Sequence, residues 1–161
     1  MNSPFNGDFR VTQIQSANHD GLDLVGIDSD VVNATVSGVV QYAGWENTGS
    51  QYQGFGLYVC IRGNDGYYYY YGHLKETKVK TGDEIKICQP IGIMGNTGKS
   101  TGPHTHYCIR QQFAKGNELS TPLISGIPNE LGVYNDGYKP KPAKEEIIIT
   151  LAGKKYKIME V

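Results

Sequence analysis

Glycine and proline punctuate this chain so densely that long helices have little room to form. Its 161 residues include 21 glycines and 7 prolines, and few stretches between them keep the 3.6-residue apolar period of a helix. What remains are short apolar runs of strand length, bounded by turn formers. A hydrophobic content of 39% supports one substantial core, whereas a second independent domain would be cramped. The expected fold is therefore all-β: an antiparallel β-sheet scaffold with an appendage.

The turn signals place the strands. "ATVSGVVQYAG" (34–44) reads as one bent strand with Gly38 at the bend, followed by the loop "GWENTGSQYQGFG". "LYVCIRG" and "YYYYYGHL" flank "GNDG", the signature of a tight hairpin. "VKTGDEIKICQPIGIMGNTG" continues as short strands with turns at Thr81-Gly82-Asp83 and Gln89-Pro90, and His104 to Arg110 forms another strand. Past residue 125 the composition becomes that of a linker, and "EEIIITLAGKKYKIMEV" reads as a hairpin with Ile147, Ile149 and Leu151 on one face. The expected organisation is a main domain over 1–125, a Gly/Pro/Lys linker over 126–144 and a hairpin over 145–161. Two strands alone are marginal in water, so the hairpin is expected to dock, or to mediate self-association by strand pairing.

Charge and cysteine usage exclude several classes. The net charge of −1 provides no basic field for a nucleic-acid backbone. Residues 139–161 carry 6 basic and 3 acidic side chains, against 9 and 13 before them, which reads as a solvated cationic linker and tail. Three cysteines, Cys60, Cys88 and Cys108, are an odd number without a CxxC pair, so neither a disulfide framework nor a cysteine zinc site is expected. All three read as small core residues. No apolar run is long enough to span a bilayer, and "MNSPFNGDFR" lacks the features of a secretory leader. The expectation is a chain made without a leader.

The chemistry-bearing residues are few and patterned. Side chains two apart on a strand share a face, so His104 and His106 in "GPHTHY" project side by side. Upstream, "HDGLDL" supplies His19 and Asp23, and Gly21 between them favours a turn that can aim both at one point. Zinc accepts neutral imidazole and carboxylate, and hydrolytic zinc sites use three protein ligands with one open position. His19, Asp23 and one of the paired histidines meet that count. The remaining histidine of the pair and His73 in "YGHL" are then available for proton transfer and oxyanion stabilisation. Taken singly, each feature also has a plain structural reading: an H-x-H in a strand, a turn-stabilising His–Asp pair, a strand-capping His73.

Taken together, "HDGLDL", "YGHL", "VKTGDEIKICQPIG" and "GNTGKSTGPHTHY" resemble the motifs of the lysostaphin-type zinc endopeptidases, enzymes that cut peptides in bacterial peptidoglycan. The resemblance runs from about residue 4 to residue 124. It implies one Zn²⁺ held by His19, Asp23 and His106, with His104 as general base and His73 assisting it and steadying the transition state. It implies a peptidoglycan peptide lying extended in a groove over the sheet, walled by "GWENTGSQYQGFG" and the region after Arg110, with Trp45, Tyr52 and Phe55 as groove aromatics. Joined to the expectation of a chain made without a leader, it suggests action at the bacterial wall after cell lysis or on a phage particle, similar to endolysins and tail-associated lysins. The alternative is a non-catalytic member of the same fold that binds peptidoglycan or activates a hydrolase.

Two departures stand out. Cys108 occupies the position, two after His106, where the family often has an acidic or amide residue, and Gln89 replaces a common turn glycine. Competing motifs fail on context. "GKSTG" would be a nucleophile elbow at Ser100, but Pro103 and the extended run after it replace the required helix. A phosphate loop ending at Lys99 needs glycine at Ile93. A lipoyl-type hairpin lacks its lysine after Ile93-Met94.

Overall fold

The computed structural model describes residues 4–113, 148–151 and 154–157. Every regular element among them is a strand. In chain order these are β1 (Phe9–Gln13), β2 (Leu22–Gly26), β3 (Val31–Asn33), β4 (Gly38–Trp45), β5 (Leu57–Gly63), β6 (Tyr68–Thr77), β7 (Glu84–Ile85), β8 (Pro90–Met94), β9 (Thr105–Arg110), β10 (Ile148–Leu151) and β11 (Lys154–Lys157). The main sheet runs β1-β2-β9-β6-β5-β4-β7 with every pairing antiparallel, and β8 joins the far end of β6 and pairs with β3.

The two-residue alternation of a strand divides this sheet into a core face and a site face. On the core face Leu22, Leu24, Val59, Ile61, Tyr69, Tyr71, Tyr107 and Ile109 pack against Val32, Ala34, Val40 and Ile91. The large rings carry hydroxyls that need partners in this setting. Thr35 supplies them: its Oγ1 lies 2.6 Å from the Tyr71 hydroxyl and 2.9 Å from that of Tyr107, and its N–H donates to Tyr71. On the opposite face Tyr58, Cys60, Tyr70 and Cys108 form a smaller cluster with Tyr42, Phe55 and Tyr68.

The hairpin around "GNDG" forms as expected, with the Gly63 N–H on the Tyr67 carbonyl. The bent strand expected over 34–44 does not. β3 ends at Asn33 and β4 begins at Gly38, because the intervening backbone takes other partners. The Ala34 N–H donates to the Gln89 carbonyl and the Thr35 N–H to Tyr71, while the Ser37 hydroxyl accepts from Ile87. Cys88 is also corrected: Cys60 and Cys108 are buried, but Cys88 is exposed. It sits at φ 67° in the turn closed by the Gln89 N–H on the Lys86 carbonyl, a turn that carries it out of the apolar run. β10 and β11 pair antiparallel, Ile149 opposite Tyr156. Ile147 and the expected linker lie outside the described residues.

Candidate metal and catalytic site

Strand register delivers the first two groups. Asp23 of β2 stands opposite His106 of β9, and His106 stands opposite Gly72 of β6. Both side chains therefore emerge on the site face, next to a position with no side chain of its own. His19 arrives from the β1–β2 loop, where it exchanges backbone hydrogen bonds with Ser16. That loop lies against β9 only because residue 21 is glycine: a Cβ there would sit 2.4 Å from the Tyr107 carbonyl oxygen. His104 is held just before β9 by a bridge to Gly95.

His73 enters by a different device. At this residue β6 leaves β9 and takes up β8, and φ is +61°, a conformation that a histidine adopts only when its surroundings impose it. The His73 N–H is on the Phe55 carbonyl, and the Thr97 hydroxyl donates to the Leu74 carbonyl while accepting from the Leu57 N–H. Gly98, at φ +75°, lets this turn approach the 46–56 loop so closely that a Cβ on it would fall 2.4 Å from the Gly56 nitrogen.

The side chains converge. His19 Nε2 lies 3.0 Å, His106 Nδ1 2.9 Å and His104 Nε2 3.5 Å from the same carboxylate oxygen, Asp23 Oδ1. The potential ligand atoms of His19, Asp23 and His106 all lie within 4.8 Å of one another. The His73 ring is 4.7 Å from that of His104 and 5.9 Å from that of His106. Three of the four rings place Nδ1 on a backbone carbonyl: His19 on Ile14 at 3.1 Å, His73 on Thr97 at 2.7 Å and His104 on Gly102 at 2.8 Å. A carbonyl only accepts, so in the neutral rings Nδ1 carries the proton and Nε2 presents a lone pair.

This arrangement fits a metal ion. If the proton of a neutral His19 is on Nδ1, Nε2 meets Asp23 lone pair to lone pair at 3.0 Å. If it is on Nε2, the same conflict falls on the Ile14 carbonyl. A cation shared by Nε2 and Oδ1 resolves both. Two imidazole nitrogens and one carboxylate oxygen are also a donor set that zinc takes, leaving a fourth position open.

The electrostatics agree. Burial acts to raise the Asp23 carboxyl, but hydrogen bonds from His106 and His19 and the charge at His104 bring it well below the usual carboxylate range. For Asp20 the His106 hydrogen bond is the leading influence; with help from Arg110 it outweighs burial and holds the acid low as well. Burial disfavours charge on His106, yet the Asp20 and Asp23 carboxylates prevail and raise it well above an ordinary histidine. A cation at its Nδ1 must therefore displace a proton. His73 is lowered to about 4, first by burial and then by repulsion from His104, against the pull of the Thr97 carbonyl. It is neutral at pH 7.

A groove of about 610 Å³ lies over these groups, a size usual for a binding cleft. Asn18 to Asp20, the Glu46–Phe55 loop and Gly98–Thr101 contribute to its lining. Tyr52 and Phe55 line it, Tyr52 at 84% exposure and Phe55 packed 5.4 Å from the His106 ring. Trp45 does not: it closes β4 opposite Leu57, and the next residue, Glu46, lines the groove instead. Of the region after Arg110, Phe113 stacks on Tyr70, and residues 114–147 lie outside the described residues. Sequence patterns do not single out Asp20, Arg110 or Thr97. Asp20 had one available signal, a second carboxylate inside "HDGLD", and Arg110 shares the strand face of His106.

Residues 17–120 match the family model described as Peptidase family M23. The chain belongs to this family. Among curated proteins it is 38% identical over 133 residues to the glycyl-glycine endopeptidase ALE-1 of Staphylococcus capitis, covering 78% of this chain and 35% of that protein. It is 41% identical over 90 residues to the peptidoglycan DD-endopeptidase ShyC of Vibrio cholerae, covering 55% and 19%. The chain thus spans a minor share of the length of these relatives. Its fold is that of the M23 catalytic domains. A point-mutant catalytic domain of the prophage-encoded M23 protein EnpA of Enterococcus faecalis superposes with a TM-score of 0.61 at 28% identity, covering 71% of this chain and 90% of that one. The lysostaphin catalytic domain of Staphylococcus simulans gives 0.57 at 32% identity, covering 71% and 85%.

Proposed function

We propose that the chain is a zinc-dependent endopeptidase that hydrolyses peptide bonds in bacterial peptidoglycan. The observation that carries this reading is the meeting of His19 Nε2, Asp23 Oδ1 and His106 Nδ1 beside two further imidazoles on the floor of a groove. Membership of a peptidase family supports it, as do relatives named glycyl-glycine and peptidoglycan DD-endopeptidases. Zinc is the ion that suits two imidazoles and one carboxylate in a hydrolytic site. The likeness to a prophage-encoded catalytic domain favours a phage source, and the relative named a peptidoglycan DD-endopeptidase favours action at the cell wall.

In this reading His19, Asp23 and His106 hold the ion, which when bound supplies Lewis acidity and makes water more acidic. His104 acts as general base. Its Nδ1–H on the Gly102 carbonyl keeps Nε2 free to take the proton of the water whose oxygen attacks the scissile carbonyl carbon. As the C–N bond breaks, the same nitrogen returns that proton to the leaving amine. His73 is neutral, with its own Nε2 lone pair beside His104. It shares the transferred proton, and whichever ring is protonated faces the developing oxyanion as a donor. The groove's volume of about 610 Å³ leaves room for a peptide over these groups.

Digestion of purified peptidoglycan from several wall types, with mass spectrometry of the fragments, tests the proposal. New peptide termini should appear with wild-type protein and be absent with His104→Ala and after metal chelation. Walls left intact by metal-loaded protein would instead favour a non-catalytic wall-binding role.

A further inference from the structure

The two ion-holding histidines are oriented differently. His19 rests its second nitrogen on a backbone carbonyl, whereas His106 presents Nδ1 to Asp23 and turns Nε2 inward. That nitrogen is buried and has no well-aligned hydrogen bond. Metal-bound imidazoles almost always direct their other N–H to a carboxylate, a carbonyl or water, which fixes the tautomer. Among the described residues, two side chains could serve. Cys108 lies on the same strand face, fully buried, but a thiol is a weak acceptor. Asp20 Oδ1 stands 3.0 Å from Nε2.

The Asp20 carboxylate is itself braced. Its other oxygen accepts from Arg110 Nη2 at 3.0 Å. Arg110 is only 4% exposed, and its guanidinium lies 4.6 Å from the Tyr70 ring centre and 5.1 Å from that of Phe55. A planar cation packed on two aromatic rings is a fixed anchor, not a wandering surface charge. The chain Arg110–Asp20–His106 thus runs from the aromatic cluster to the ion-facing nitrogen.

We infer that Asp20, anchored by Arg110, is the positioning residue that holds His106 with its proton on Nε2 and its lone pair on Nδ1, a task Cys108 cannot perform in this chain. The inference rests on the metal site proposed above. It predicts that Asp20→Ala weakens zinc binding about 10–100-fold, measured against a competing chelator, and that Asp20→Asn, which keeps an acceptor oxygen, falls between Asp20→Ala and wild type. Long-range ¹H–¹⁵N spectra of the zinc-loaded wild type should show His106 protonated on Nε2, with that signal broadened or lost in Asp20→Ala. Asp30→Asn, which removes the exposed partner of Lys75, serves as the control and should leave zinc affinity unchanged. Wild-type affinity in Asp20→Ala, with only a lowered melting temperature, would reduce Asp20 to a structural ion pair and overturn the inference while the metal site stands. A wild-type protein that binds no zinc would overturn both. Asp20-dependent zinc binding without wall hydrolysis would support the inference and remove the activity.

Discussion

Asp23 and His106 face one another across the β2–β9 pairing, and their side chains meet at 2.9 Å between Oδ1 and Nδ1 although 83 residues separate them in sequence. The contact follows from the register alone. A one-residue slip of either strand would turn its own side chain into the core and leave no site.

Asp23→Asn should therefore damage the protein in two ways. In the metal-free state the carboxylate compensates the charge favoured on the buried His106, and its loss should cost roughly 1–3 kcal/mol in chemical denaturation at pH 7. Because burial is outweighed and the Asp23 acid is held low, this stabilisation is present above the ordinary carboxylate pKa and disappears only in strong acid. The difference between variant and wild type should shrink as the pH falls through that range. Metal affinity should fall as well.

His73 should titrate near 4 in the metal-free protein, followed through its ring carbon-bound proton by NMR, with the neutral tautomer protonated on Nδ1. Since its folded value is depressed, the unfolded chain binds a proton that the folded chain refuses between about 6.5 and about 4. His73 thus removes stability as the pH falls through that window. A midpoint near 6.5 would mean that the ring is not buried against its neighbours.

Gly21→Ala probes the approach of the His19 loop to β9. The added methyl would meet the Tyr107 carbonyl oxygen at 2.4 Å, and backbone is not easily displaced. Stability should drop by roughly 1–3 kcal/mol, and zinc affinity should drop with it because His19 moves away from Asp23. Unchanged affinity in a calorimetric titration would show that the loop and the strand are not coupled.

Much of this was legible because the chemistry is concentrated in short motifs. The four histidines and Asp23 sit in three such stretches, and strand periodicity alone put His104 and His106 on one face. What was not legible depends on contacts between distant segments. Arg110 and Asp20 are 90 residues apart, and no local pattern pairs them. The left-handed backbone at His73 lacks the glycine that would announce it, since neighbouring segments impose it. The break between β3 and β4 arises because Thr35 bonds tyrosine hydroxyls from two other strands. Trp45 is a groove aromatic only by the family resemblance, whereas β4 continues through it.

Tyr71→Phe should separate fold from function. Removing the hydroxyl leaves the buried Thr35 N–H without its acceptor, a loss of about 1–3 kcal/mol. Zinc affinity should stay at the wild-type level, because the tyrosine points to the core face. A matching loss of affinity would show that the core network transmits strain to the site.

The most direct measurement is the metal content of purified protein after saturation with zinc and removal of excess, for wild type and for His19→Ala, Asp23→Ala and His106→Ala. One ion per wild-type chain is expected, with loss of that ion in each variant and folding verified by the β-sheet circular dichroism signal. Wild-type protein without bound zinc, or full retention of the ion in any of the three folded variants, would contradict that expectation.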